Sequence, residues 1–464
     1  FNSSELNVEL KQIANLLIKE LFEFNIEDFD GEEFTGFSTG KNGIQCQFNK
    51  QFRIYLAQLS EGLFPNFDKP IGIEEKQFRK ILERSIVNIF TEDGFNIEDD
   101  SSKENLKKIR LELKALINEL KDEYIHYIPA KTVQLELSKS IKIGDVEIYS
   151  IENWLNIVDY SEKAKENYYG NTEHNKQWKE LVRRKLKNEE VELNGIANDM
   201  FKFIEGNNAI IKITVKGYEK ELSQRVANIL AKSALDMISL YLGGLPVFSK
   251  QILHLERSLP TRTYTLQSNG KYLNGLGFHF GKHVRPIFKN ENHRNENRED
   301  LEEFLCYFKI IFDGLTDKKN CKFPKLANKW IFALSWYAEG VREPNDAIAI
   351  TKLASCLDTL SHGSKNNGIK QLICNLFNKE DNQTLFNCEG NKTISIHEFS
   401  KRIYEDGRSR ILHGTIDNFL ESFHDDKERL IMVGRIILLE CAVRLSTYEG
   451  DDSEHAFKTM KRKN

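Results

Sequence analysis

The chain has 464 residues, 40% of them hydrophobic, with 30 Phe, 8 Pro and a formal net charge of −4. That length predicts two or three domains, and the apolar fraction excludes a disordered chain. The small negative balance excludes a uniformly basic surface, so a nucleic-acid partner would need a local basic patch.

Seven cysteines, an odd number with no Cys-x-x-Cys pair, exclude a zinc ribbon and a disulfide frame and point to a reduced, cytoplasmic protein. No apolar run approaches the roughly 18 residues of a membrane helix, and no signal-peptide pattern opens the chain, so no membrane association is expected.

Residues 1–125 read as helical. The stretches ELNVELKQIANLLIKELFEF, IEEKQFRKILERSIVNIF and ENLKKIRLELKALINEL repeat apolar residues at helical spacing. The acidic loop TEDGFNIEDDSS between the last two ends in serines that can cap the next helix. Residues 126–295 read as mixed α and β. KTVQLELSKSIKIGDVEIYS alternates around an Ile-Gly-Asp turn, a hairpin signal. NAIIKITVKG reads as a strand that feeds the long helix EKELSQRVANILAKSALDMISLYL, and TRTYTLQSNGKYLNGLGFHFGKH reads as a second hairpin. The polar stretch KNENHRNENRED, Lys289–Asp300, is a candidate boundary. Residues 296–464 read as helices only, at roughly 299–314, 324–340, 345–361, 367–378, 395–405, 408–421 and 426–448. The fold class expected is mainly α with a mixed α/β middle region and a C-terminal all-α bundle.

Few motifs carry chemistry. The basic runs Val182–Lys187, Lys401–Arg410 and the terminal KTMKRKN are each more often a solvated face than a binding site. His279 and His283 are four apart, but the surrounding glycines disfavour a helix, and on a strand they would stand about 13 Å apart. No metal site is expected there. Gly277 to Gly281 is one residue short of a phosphate-binding loop. The acid pair in DVEIYS lacks a partner lysine, and no dinucleotide fingerprint or serine-hydrolase elbow is present. No cofactor is expected.

The stretch EDGRSRILHGT, Glu405–Thr415, stands apart. It holds Arg408, Ser409, Arg410 and His413, and it follows two helices of distinctive composition. The first carries Ala333, Leu334, Trp336 and Tyr337; the second carries Leu357 and Asp358. Arg408, four residues, His413 and Gly414 come next, and then the apolar helix RLIMVGRIILLECAVRLSTY. In this order the segment resembles an Apea-like HEPN domain, over about residues 320–450. Asp358 departs from the family pattern, which usually has Glu there.

The resemblance implies an all-α HEPN bundle that cleaves RNA without a metal, with two Arg-x4-His motifs facing one groove in a homodimer. The chemistry suits the residue types. A 2′-hydroxyl can attack its own phosphate once a base takes its proton, and an unperturbed histidine has a pKa of about 6.5. Arginine stays charged and offers a planar fork where negative charge builds. The products implied are a 2′,3′-cyclic phosphate and a 5′-hydroxyl.

Residues five apart on an α-helix differ by about 140° in direction. The expected remedy is that Gly407 breaks the preceding helix, so that Arg408 sits in a first turn whose amides can also bind phosphate. Ser409 shares the face of His413, four residues on. Alternatives stand beside each role. His413 also reads as a core histidine, Arg410 as a solvent-facing or RNA-facing helper, Asp358 as a surface charge or as the carboxylate that orients the arginine, and Tyr404 as packing. Asp417 could orient the His413 ring or be an ordinary surface carboxylate.

The function expected is a ribonuclease effector of anti-phage defence, abortive infection or toxin type. Residues 1–295 would then sense a phage-derived trigger or an operon partner, restrain the nuclease, or select its RNA, and residues 296–464 would form the nuclease domain. Two rivals are a non-catalytic HEPN module that binds RNA, nucleotide or protein, and a helical interaction protein outside that family.

Overall fold

The computed structural model describes the chain except residues 1–2, 24–33, 67–71, 97–100, 120–122, 134, 136, 171, 244, 255, 257–261, 264–266, 269–272, 275–278, 281–290, 318–319, 389, 391, 417, 419 and 462–464. The fold is 64% helix with a small antiparallel sheet in the middle of the chain. Two compact units form, one from residues 1–124 with Val215–Arg225, the other from Ile125–Thr214 with residues 226–464.

The first unit contains α1 (Ser3–Glu23), the hairpin β1 (Phe34–Thr39) and β2 (Gln45–Asn49), then α2 (Lys50–Leu63), α3 (Glu75–Thr91) and α4 (Ser102–Glu119). Apolar residues at helical spacing meet in one core that includes Leu17, Phe52, Leu59, Leu82, Ile86 and Leu113. The hairpin was not expected within a helical region. Its second strand runs straight into α2, where Asn49 caps the helix by accepting from the Phe52 N–H at 2.7 Å.

The second unit opens on β3 (Tyr124–Lys131), β4 (Ile141–Ile143), β5 (Val146–Ser150), α5 (Ile151–Ile157), α6 (Trp178–Leu186), α7 (Gly195–Ile204) and β6 (Ala209–Val215). The long helix α8 (Lys220–Leu242), which enters this unit at Val226, and β7 (Ile252–Leu253) follow, and the strand order in the sheet is β4-β5-β6-β3-β7. The expected hairpin is present: Ile143 pairs with Val146 across Gly144, whose φ of +56° favours glycine. Trp154, Trp178 and Ile210 pack between the sheet and α5–α7. The second expected hairpin appears as Gln267–Ser268 paired with Leu273–Asn274, and Arg262–Thr263 with His279–Phe280. His283 lies outside the described residues.

The C-terminal part comprises α9 (Glu291–Cys306), α10 (Lys309–Thr316), α11 (Pro324–Arg342), α12 (Asp346–Leu360), α13 (Lys365–Phe377), the strands β8 (Thr384–Asn387) and β9 (Thr393–Ser395), α14 and α15 (His424–Ser446). α14 joins Ile396–Lys401, Arg402–Ser409 and Arg410–His413 end to end. Two expectations are corrected. Lys289–Asp300 is largely helical rather than a turn-rich linker, and the region is not all helix, because β8 and β9 pair antiparallel.

The core of this bundle is α11, α12 and α15. Trp330 is fully buried and its indole N–H donates to the Leu438 carbonyl at 2.9 Å. Tyr337 donates to the Ile431 carbonyl at 2.9 Å and lies against Gly434, where a Cβ would come within 3.0 Å of its ring. Burial pushes the Tyr337 phenol well above its ordinary range. Arg435 donates to the carbonyls of Leu240 and Tyr241, fixing the end of α8 on this bundle.

Candidate active site

α14 positions Glu405–Thr415. It opens on a capping box, in which the Ser395 hydroxyl accepts from the Glu398 N–H at 3.2 Å and the Glu398 carboxylate accepts from the Ser395 N–H at 2.8 Å. The helix is α over Ile396–Lys401, π over Arg402–Ser409 and α again over Arg410–His413. It ends at Gly414, φ +65°, with the Thr415 N–H donating to the Arg410 carbonyl at 3.0 Å.

This overturns the expected start of a helix at Arg408 and its continuation to residue 421. Gly407 breaks nothing. It is buried inside the helix, and a Cβ there would lie 3.0 Å from Ile350 Cγ2 and 3.2 Å from the Arg402 carbonyl oxygen. Its lack of a side chain lets α14 lie close against α12. Arg408 is therefore far from any first-turn amide, and His413 stands in the last turn beside Arg410, where positive side chains complement the helix dipole.

Arg408 reaches across to α12. Its Nε donates to the Ser355 hydroxyl at 3.0 Å, and Nη2 lies 3.5 Å from Asp358 Oδ2. The guanidinium also sits over the Tyr404 ring, 5.2 Å from its centroid, so Tyr404 does more than pack. Among the described residues Nη1 has no partner. Asp358 Oδ1 is buried without a hydrogen-bond partner. Burial raises the Asp358 carboxyl above the ordinary carboxylate range, and the nearby Arg408 opposes that rise.

Asp358 is thus a partly buried carboxylate paired with Arg408, not a free surface charge. Ser355 was missed by the sequence reading. Its signal was its place three residues before Asp358 on the same helix face.

His413 is exposed, and no described residue hydrogen-bonds or ion-pairs with its ring. That sets aside the core-histidine reading. The structure does not bring His413 into contact with Arg408. The π register, with its i→i+5 bonds, stops at Ser409, four residues before His413. Ser409 is half-buried on the same helix. Arg410 pairs with Glu421 at 3.4 Å, and Glu421 also holds Arg402 at 3.0 Å. Asp417 lies outside the described residues.

In the basic run Val182–Lys187 the two arginines are already paired. Arg183 pairs with Glu152 and Arg184 with Glu189, each at 2.7 Å. Among the described residues no group of three His, Cys, Asp or Glu is placed to hold a metal ion, and no helix is long and apolar enough to cross a membrane. Compared with family models, with curated proteins and with solved structures, the chain matches none of them.

Proposed function

We propose that the C-terminal bundle is a HEPN-like, metal-independent endoribonuclease, with Arg408 and His413 as its catalytic pair and Asp358, Ser409 and Arg410 in support. One observation carries this reading: Arg408 is oriented from α12 by Ser355 and Asp358 with Nη1 unpartnered, while His413 on the same helix keeps an exposed ring without a partner. A fixed guanidinium suits a phosphate, and an accessible imidazole suits proton transfer to or from a 2′-hydroxyl. Within one chain Arg408 turns to α12 while His413 stays exposed. The composite site therefore takes a second copy, in which the motifs of two protomers face one groove. The remaining chain would supply recognition of a trigger in anti-phage defence or toxin action.

A second reading has its own support. Ser355 and Asp358 already occupy two sides of the Arg408 fork, which also suits a structural arginine in a module that binds RNA without cutting it. RNA incubated with the protein in EDTA separates the two. Cleavage that is lost in Arg408→Ala and His413→Ala supports the nuclease. Binding without products supports the module, and cleavage that persists in both variants removes the motif from the mechanism.

A further inference from the structure

A second cluster of reactive side chains lies just beyond the C-terminal end of α12, at the turn that follows Asp358. Lys329 on α11 is half-buried, with Nζ 2.5 Å from His362 Nδ1 and donating to the Glu454 carbonyl at 3.0 Å. The same His362 Nδ1 lies 3.0 Å from a Glu454 carboxylate oxygen. The His455 ring packs edge-on against His362 at 4.4 Å, and the charge of Lys458 acts on both Lys329 and His362. His362 sits in the turn after α12 on left-handed backbone, and so do the next three residues: φ is +54° at His362, +71° at Gly363, +72° at Ser364 and +56° at Lys365. Such backbone is unfavourable for non-glycine residues and persists only where its surroundings hold it. Here the Gly363 N–H donates to the Asp358 carbonyl at 2.9 Å, and the Ser361 hydroxyl donates to the carbonyls of Asp358 and Gly363.

One ring nitrogen thus faces two partners with opposite needs. The carboxylate of Glu454 needs an N–H there, and the ammonium of Lys329 needs a lone pair. With His362 neutral, Nδ1 is a base set directly against a lysine nitrogen. We infer that Lys329 is an acylation site, whose Nζ accepts the acyl group of a small acyl phosphate with His362 as the base. Burial, with Lys458 nearby, holds the Lys329 ammonium below the usual lysine range against the pull of Glu454, so more free amine is present at neutral pH.

The step balances. Nζ attacks the carbonyl carbon, and the N–C bond forms as the C–O bond to phosphate breaks. The phosphate leaves with the electron pair, and the surplus proton on Nζ passes to His362 Nδ1. The charge of Lys458, which acts on both Lys329 and His362, favours the departing phosphate. The amide product carries no charge, which leaves His362 to Glu454 alone.

Full-length protein treated with acetyl phosphate at neutral pH, followed by peptide mass spectrometry over time, tests this. Lys329 is expected to be acetylated measurably faster than exposed Lys325 on the same helix, since a lowered lysine pKa and a base at Nζ leave more free amine there. His362→Gln should remove that preference. Equal rates at Lys329 and Lys325 in the wild type would overturn the assignment, as would an unchanged preference in the variant. If His362→Gln does not fold, reductive methylation of the wild type with labelled formaldehyde gives the same decision. A Lys329 amine titrating below the other lysines by NMR supports the site, and one titrating with them overturns it.

Discussion

The Nε–H of Arg408 donates to the hydroxyl of Ser355 at 3.0 Å, and that hydroxyl donates in turn to the Thr351 carbonyl at 2.7 Å. The chain of bonds ties α14 to α12. Ser355→Ala breaks it and leaves a half-buried guanidinium edge without an acceptor. The expected cost is about 1–2 kcal/mol of unfolding free energy, measured by urea denaturation. RNA cleavage should fall further than the stability loss explains, because Arg408 loses its aim.

Asp358 should carry a pH signature. Its carboxyl is raised by burial, so the folded state favours the neutral form. The stability from that preference is fully present below the ordinary carboxylate pKa and is lost as pH rises through the raised value. Asp358→Asn cannot ionise, so its stability relative to wild type should increase as pH rises above about 4. Thermal unfolding of both proteins over a series of pH values from about 4 upward checks the sign. A difference that stays flat would mean that Arg408 cancels the burial.

Gly407 and Ile350 should be coupled. Gly407→Ala gains helix propensity but presses its Cβ on Ile350. With Ile350→Ala the space opens. In a double-mutant cycle the double variant should cost less than the sum of the singles, by about 0.5–3 kcal/mol. Additive losses would mean that the close approach of α14 to α12 does not constrain Gly407.

These residues show what the sequence makes legible. α11 and α12 are readable to within two residues or so, because apolar spacing is strong and Pro324 stands at the first helical position. β8 and β9 are not, since strands of four and three residues with no buried position carry no alternation to read. Gly407 and Gly414 look alike in the sequence. The constraint on Gly407 is a neighbour 57 positions away on another helix, which no local pattern reveals. Gly414 follows two basic residues and carries an ordinary helix-end signal, yet the motif around it draws the eye to a helix start. Arg408 and Asp358 were both singled out, but their pairing needed the packing of α14 on α12.

Glu421 holds Arg402 and Arg410 together. Glu421→Gln would release Arg410 to a phosphate. If the motif face binds RNA, the variant should bind single-stranded RNA with a steeper salt dependence, by about 0.7 in the log–log slope for each added contact. Fluorescence anisotropy at a series of salt concentrations measures it. An unchanged slope would place Arg410 outside the RNA path.

The most direct measurement uses a short RNA, its product ends and EDTA. The wild-type protein should yield a 5′-hydroxyl and a 2′,3′-cyclic phosphate, fail on the same oligonucleotide with a 2′-deoxy sugar at the scissile position, and lose the activity in His413→Ala with its fold intact. Cleavage at the deoxy position, 5′-phosphate products, or full activity without His413 would contradict the account.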